Sequence, residues 1–588
     1  MADTTEPIRY TLRFPAPHTH YVEVEAVVPT HHQPHIELMM AVWTPGSYMV
    51  REYARHVDGV FAYTHDGTSL PVDKSCKNRW CIHTQDANPL RVIYRVYCRE
   101  MTVRTNWIEN GFAMLNGAPT FLTLVEDGPR PHDVQILLPD HWQTTITSLP
   151  ATPDGKTHSY RAVDFDTLVD SPIVAGNPAV YTFEVDGKAH DVVNEGEGGI
   201  WDGPRALRDV EKVVRAHRDM WGFLPYERYV FFNMITEAGG GLEHKNSTLL
   251  MTSRWQARVR KGYLDWLGLV SHEFFHVWNG KRLRPIELGP FDYENEVYTK
   301  SLWVMEGITS YYTELGLSRA GLCTPAEALE RFSRLIERLQ TTPGRLVHPL
   351  EMASYDAWIK FYRSDENSPN ITMSYYTRGA IVALLLDVKI RRATAGTKSL
   401  DDVMRLAYTR YAGERGFTRE EWRETVQEVA DIDLTEWFVS VLERTDEIDY
   451  SEALEWFGLC FAPQANTAAK AWLGIETKID NGRLLVTQVR RQIPGWHAGL
   501  NVDDEILAID DYRVRPEQWQ TRLEQYSPDH TVSLLVARRE RLQRLDVTFG
   551  TEPPQCWKLA VHPEASPEQQ TRLQAWLGGC GGVSSVDT

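Results

Sequence analysis

The sequence predicts a multidomain α+β protein. It reads as an N-terminal β-sandwich-like domain, a mostly helical second domain with a small sheet at its start, and a compact α/β module near the end. Three observations predict this. Apolar residues alternate with period two through the first ~190 residues. They then recur with the helical period from about 203 to 450, and short alternating runs return after about 455. A chain of 588 residues, at about 150 per domain, has room for these divisions.

The elements follow in order. Alternation runs through Tyr21–Val28, Ile36–Trp43 and Arg91–Tyr97, with Pro, Gly and Asp between the runs, and the first domain is placed at 1–195. Asn194-Glu-Gly-Glu-Gly-Gly199 reads as the linker that closes it. In the second domain, 200–453, Ala206–Trp221 is an amphipathic helix and Tyr229–Met234 a buried strand. Tyr263–Asn279 is a helix stopped by Gly280 and Pro285, and further helical patterns cover 301–320, 325–340 and 375–393. Thr324-Pro325 is an N-cap followed by proline at the first helical position. The module at 456–550 holds strands Gly482–Val489, Glu505–Asp510 and Thr531–Ala537. Residues 551–588 end the chain as a short helix after Ser566-Pro567 and a loose tail.

Composition narrows the function. With 62 basic and 80 acidic residues the net charge is −18, which disfavours binding to phosphate backbones, so no nucleic-acid partner is expected. No apolar stretch approaches the ~20 residues of a membrane span, and the start of the chain has no basic segment followed by an apolar one. Seven scattered cysteines, with no CxxC pair, suit free thiols in a reducing compartment. A cytoplasmic protein is the resulting expectation.

The sharpest local signal is His272-Glu-Phe-Phe-His276. On a helix, residues four apart share a face, so His272 and His276 can present two imidazoles to one Zn²⁺. Glu273 is placed to take a proton from a water. The flanks, including Trp266, Val270, Phe274, Phe275 and Trp278, make the helix apolar nearly all round. Burying two His and a Glu there without a task is costly. Glu306 is a lone acid in the next helical stretch and the natural third ligand, which leaves one coordination position open. Upstream, Glu237-Ala-Gly-Gly-Gly-Leu-Glu-His244 follows a strand. Its glycines allow close approach of backbone to a ligand, and Glu243 is a candidate for a cationic substrate group.

These residues resemble a known family. His272-Glu-Phe-Phe-His276-Val-Trp-Asn279, Lys281-Arg282, Pro290-Phe-Asp-Tyr293 and Leu302-Trp-Val-Met-Glu-Gly307 are similar to the glycyl aminopeptidase family of zinc metallopeptidases, and Trp43-Thr-Pro-Gly-Ser-Tyr48 resembles its N-terminal β domain. The resemblance implies a thermolysin-like catalytic domain of the HExxH…E gluzincin type with one catalytic Zn²⁺ held by His272, His276 and Glu306, and Glu273 as general base. Gly240-Gly241-Leu242-Glu243-His244 resembles the exopeptidase motif GxMEN, with Leu242 for Met and His244 for Asn. That likeness implies capture of the substrate's α-ammonium by Glu243 and alignment of its backbone near Gly240, Gly241 and His244. Tyr375-Tyr376-Thr-Arg-Gly379 resembles the segment whose tyrosine stabilises the oxyanion; Tyr376 is the assignment and Tyr375 its competitor. The family's substrates are peptides with a free N-terminus and a small first residue, Gly or Ala.

Residues 456–550 resemble a PDZ domain, with Trp472-Leu473-Gly474-Ile475 as the carboxylate-binding loop for a C-terminal peptide. Docking of a peptide in trans and internal bracing of the catalytic domain both stand as readings of this module. For the whole chain, the alternatives to an aminopeptidase are a zinc endopeptidase on the same site and a peptide-binding scaffold acting through the PDZ-like module.

Overall fold

The computed structural model describes residues 6–125, 129–462, 470–553 and 556–578; the expected tail beyond 578 lies outside them. The chain forms two compact units. The first takes in residues up to Thr299 together with Tyr312–Cys323 and Asp401–Trp422; the second takes in Lys300–Tyr311, Thr324–Leu400 and the chain from Arg423.

The first unit begins with the expected β-sandwich. Its larger sheet has seven strands, ordered Ser159–Ala162, His132–Leu137, Ile8–Arg13, Tyr21–Val28, Leu90–Tyr97, Val57–Tyr63 and Ser69–Leu70. Tyr21–Val28 pairs antiparallel with Leu90–Tyr97 from Tyr21↔Tyr97 to Val28↔Leu90, and every second side chain of it is buried. Two four-stranded sheets complete the layer opposite, and Tyr10, Val24, Tyr94, Ile108, Phe121 and Leu122 are part of the shared core. The buried tyrosine hydroxyls are satisfied across it: Tyr10 donates to the Leu122 carbonyl at 2.7 Å and Tyr94 to the Thr120 carbonyl at 3.0 Å.

A five-stranded sheet follows, ordered Ala179–Val185, Lys188–Glu195, Arg228–Ile235, Ser247–Thr252 and Gly240–Glu243. The sequence reading closes the first domain at 195, but the pairings Ala189↔Arg228 through Glu195↔Met234 make strand 188–195 part of this sheet. Period-two alternation cannot tell which sheet a strand joins. The helix Gly203–Trp221 makes the crossover between the two parallel strands; Asp202 caps its first turn by accepting from the Arg205 N–H at 2.9 Å, and Gly222 ends it at φ +88°. Strand Arg228–Ile235 is buried in all but its first residue, as a parallel strand covered on both faces must be. Gly240–Glu243 pairs with Ser247–Thr252, and among the described residues no strand pairs with its other edge, so that edge is open to a further strand.

The second unit is built around the helices Pro325–Gln340 and Tyr375–Ala393. Thr324 and Glu327 form a capping box at the start of the first. The expected α/β module is a sheet ordered Ile475–Asp480, Arg483–Val489, Glu505–Ile509, Thr531–Arg538 and Arg541–Thr548, with a core that includes Leu484, Val486, Ile509, Trp519, Val536 and Phe549. Before and after it, Leu459–Phe461 pairs with Leu559–Val561. The last helix, Pro567–Gly578, returns to the helical part: the Trp576 ring stacks on Phe457 at 4.5 Å and its Nε1–H donates to the Tyr311 hydroxyl at 2.7 Å. No helix among the described residues is long and apolar enough to cross a membrane. The six described cysteines are free thiols.

Candidate metal and peptide site

The site grows from the free edge of the five-stranded sheet and the helix packed against it. That helix spans Arg260–Phe275, shorter than the expected 263–279, and His276 is its C-cap residue at φ −62° and ψ −16°. The αR backbone keeps His276 on the same face as His272, and the two Nε2 atoms stand 3.2 Å apart. Phe274 fastens the helix to the sheet through Tyr229 and Phe231 and packs edge-on to Trp278. Trp266 Nε1–H donates to Asn233 Oδ1 at 3.1 Å.

The ring nitrogens on the other side of the imidazoles have partners. His276 Nδ1 stands 2.7 Å from the Asn279 carbonyl, which only accepts, so Nδ1 carries the proton and Nε2 offers a lone pair. His272 Nδ1 stands 3.0 Å from Thr313 Oγ1, which can hold that ring in the same tautomer. Two lone pairs then converge, an arrangement that a cation relieves and that matches how a zinc site orients its imidazoles.

Two buried carboxylates complete this part. Ligand atoms of Glu243, Glu273 and His276 all lie within 4.8 Å of one another, a group able to hold a metal ion. Glu243 and Glu273 are 4% and 5% exposed, so their mutual repulsion is little screened by water and calls for positive charge between them. Each is admitted by a glycine. A side chain on Gly241 would occupy the space of the Glu273 carboxylate, and a Cβ on Gly46, at φ +87°, would stand 2.5 Å from Glu243 Oε1. Gly46 had a place in the sequence motif Trp43–Tyr48 but no role at the site. The motif is held by the expected Pro290–Tyr293 segment: Trp43 Nε1–H donates to the Asp292 carbonyl at 2.7 Å, and the Val42 N–H to the Tyr293 carbonyl at 2.8 Å.

His244 follows Glu243 and meets an acid through one ring nitrogen. Its Nδ1 is 3.2 Å from Asp170 Oδ1, and Lys281 Nζ is 2.6 Å from the same oxygen. Burial opposes ionisation of Asp170, but Lys281 and His244 beside it hold its carboxyl well below the usual range. The other ring nitrogen of His244, Nε2, is buried without a hydrogen-bond partner among the described residues.

In the second unit, Glu306 lies on a π-turn, Trp303–Gly307, that leads into the helix Ile308–Arg319, and it is 1% exposed. Gly307 crosses Gly379 so closely that a Cβ on it would stand 2.5 Å from the Gly379 Cα. This crossing brings Glu306 beside the start of the helix Tyr375–Ala393. Burial, with the Glu306 charge next in size, holds the Tyr376 hydroxyl well above its ordinary pKa, so Tyr376 stays a proton donor. Tyr375 is fully buried and Tyr376 only partly. In the α/β module, Leu473 is a core residue, Gly474 turns at φ +68° beside Ile493, and Ile475 opens the edge strand 475–480.

Comparison with known proteins finds two peptidase-domain matches in the chain. Residues 9–177 match the Peptidase M61 N-terminal domain, and residues 265–382 match the M61 glycyl aminopeptidase domain. These are peptidase domains. The structure is also similar to the crystal structure of an aminopeptidase N family protein from Idiomarina loihiensis, with a TM-score of 0.89 and 27% sequence identity, covering 97% of this chain and 100% of that one. The chain is thus a peptidase hydrolase in its domains and overall likeness, with a group of residues suited to a metal ion.

Proposed function

We propose that this chain is a zinc-dependent aminopeptidase that removes small N-terminal residues, Gly or Ala, from peptides. The observation that carries the reading is the pairing of buried Glu243 and Glu273 next to two converging imidazoles, at the free edge of a sheet. His272, His276 and Glu306 would hold the ion. Thr313, which faces His272, lies seven residues after Glu306 on one continuous helical run, and that spacing is two turns and roughly the same face. Zinc, when bound, supplies the charge that polarises the scissile carbonyl and acidifies a water.

The chain's own residues do the rest. The substrate adds its backbone along Gly240 and Gly241 and ends with its ammonium on Glu243, which fixes which bond is cleaved. Glu273 takes the water proton and returns it to the leaving amine. Tyr376 donates a hydrogen bond to the tetrahedral oxyanion. His244 holds the strand to Asp170 in this reading and leaves amine capture to Glu243.

An acetylated peptide tests the exopeptidase assignment: cleavage at the same rate as the free peptide would make the enzyme an endopeptidase. Glu273→Gln should abolish turnover with zinc content unchanged.

For residues 456–550 we propose a PDZ-like module used as a brace. Asn370 Nδ2–H donates to the Val489 carbonyl at 3.0 Å, and the Arg491 N–H donates to Asn370 Oδ1 at 2.8 Å, fixing the end of strand 483–489 to the helical part of its unit.

A further inference from the structure

We infer that Arg104 reads the C-terminal carboxylate of the substrate, so that this enzyme favours peptides of two or three residues. The inference rests on the aminopeptidase reading and adds a substrate class to it. Arg104 belongs to the N-terminal sandwich, in the segment Met101–Asn106 that runs beneath the edge strand; its neighbour Val103 is fully buried in a core with Phe232, Leu242 and Leu249 of the five-stranded sheet. Its backbone is fixed. The Arg104 carbonyl accepts from the Tyr53 hydroxyl at 2.9 Å, and its N–H donates to Thr102 Oγ1 at 3.2 Å.

The side chain reaches the edge strand at Gly240, where Nη1 lies 3.9 Å from the position of a Cβ. Among the described residues the guanidinium has no hydrogen bond and no carboxylate partner, and its Nε is buried and unsatisfied. A half-buried guanidinium without a partner is costly, and a planar carboxylate is the group that its donors fit best. Its position decides which carboxylate. Glu243 marks the amine end of a bound peptide, and the free edge runs from it past Gly241 to Gly240, where φ is +119°. Three residues of strand span about 10 Å, the length of an extended tripeptide. A peptide whose ammonium is on Glu243 therefore presents its terminal carboxylate to Arg104 when it is two or three residues long. A longer chain has a neutral amide there.

The test compares Gly-Ala and Gly-Ala-Ala with their C-terminal amides on the full-length, zinc-loaded enzyme. The free acids should have kcat/KM about 10- to 100-fold above the amides, with the difference in KM, as expected for charge-assisted hydrogen bonds. Arg104→Gln should bring acids and amides level by lowering only the acids, and Arg104→Lys should restore part of the preference. Equal rates for acid and amide in the unaltered enzyme would overturn the inference and leave the aminopeptidase reading standing. An equal loss on both substrates in Arg104→Gln would also overturn it, by showing a structural role. Hydrolysis of none of the four peptides would overturn both readings together.

Discussion

Glu243 rests its carboxylate on Gly46, a residue 197 positions earlier in the chain, at a spot where a Cβ would stand 2.5 Å from Oε1. The turn that carries Gly46 is closed by the bridge between Thr44 and Ser47, and Gly46 has φ +87°. Glycine is needed twice over, for the backbone conformation and for the close approach. The N-terminal sandwich thereby sets the position of the residue proposed to bind the substrate's amine.

Gly46→Ala is expected to raise KM for glycyl substrates at least 10-fold, because Glu243 has to move, and to cost about 1–2 kcal/mol in stability through the strained φ. Steady-state kinetics on a glycyl amide, with a denaturant melt of the same protein, checks both parts. An unchanged KM would mean that Glu243 does not bind the amine.

The crossing of Gly307 and Gly379 makes a matching prediction for the metal. Gly307→Ala forces the π-turn away from the helix Tyr375–Ala393 and shifts Glu306, its immediate neighbour. Zinc stoichiometry by elemental analysis should fall well below one per chain after dialysis, where the unaltered protein keeps its ion. Full retention would argue against Glu306 as a ligand.

How far the sequence reveals such relations depends on how local they are. His272 and His276 are legible because helical geometry alone places them four residues apart on one face, with Glu273 the residue next to His272. The contact of Gly46 with Glu243, like that of Asp170 with His244, joins segments far apart in sequence, and no periodicity reports it. For the same reason the motif that marks His244 gives no sign of its contact with Asp170. The sequence reading places 179–195 in the first domain and starts a linker at Asn194, whereas Lys188–Glu195, buried at five consecutive positions, joins the second sheet through parallel pairing with Arg228–Ile235. The last helix is signalled by Ser566-Pro567; that its Trp576 seals a core with Phe332 and Phe457 is not.

Acid should destabilise the protein from pH 6.5 downward. His132, His190 and His217 are buried, and burial lowers their pKa values to about 4, 4 and 3. Below the unfolded value near 6.5 the unfolded chain binds three protons that the native one refuses, so stability falls with pH. Glu195 works the other way: burial, with Glu109 nearby, raises it to about 7, so the native state holds a proton that the unfolded state loses above its usual range. The net uptake on unfolding near pH 5.5 is then about two protons, or about 3 kcal/mol per pH unit. Urea midpoints at pH 7 and pH 5.5 measure the slope, and a flat profile would contradict the buried, neutral state of these histidines.

Asn370 is one joint of the α/β module, beside Arg490, whose Nη1 donates to the Thr341 carbonyl at 3.4 Å. Asn370→Ala removes both hydrogen bonds to the strand end at Val489 and Arg491 and leaves those backbone groups without their partner. The expected cost is about 1–3 kcal/mol at this contact, small beside the module's own core of Leu484, Val486, Trp519 and Phe549. The module should therefore stay folded while its attachment loosens. Calorimetry is expected to resolve a second transition in Asn370→Ala where the unaltered protein has one, and limited proteolysis should cut near 456 and 550 sooner. Peptidase activity then distinguishes the two roles of the module. A brace that orders the helical part lowers kcat when it loosens, whereas a module that only docks peptides in trans leaves kcat on short glycyl substrates unchanged.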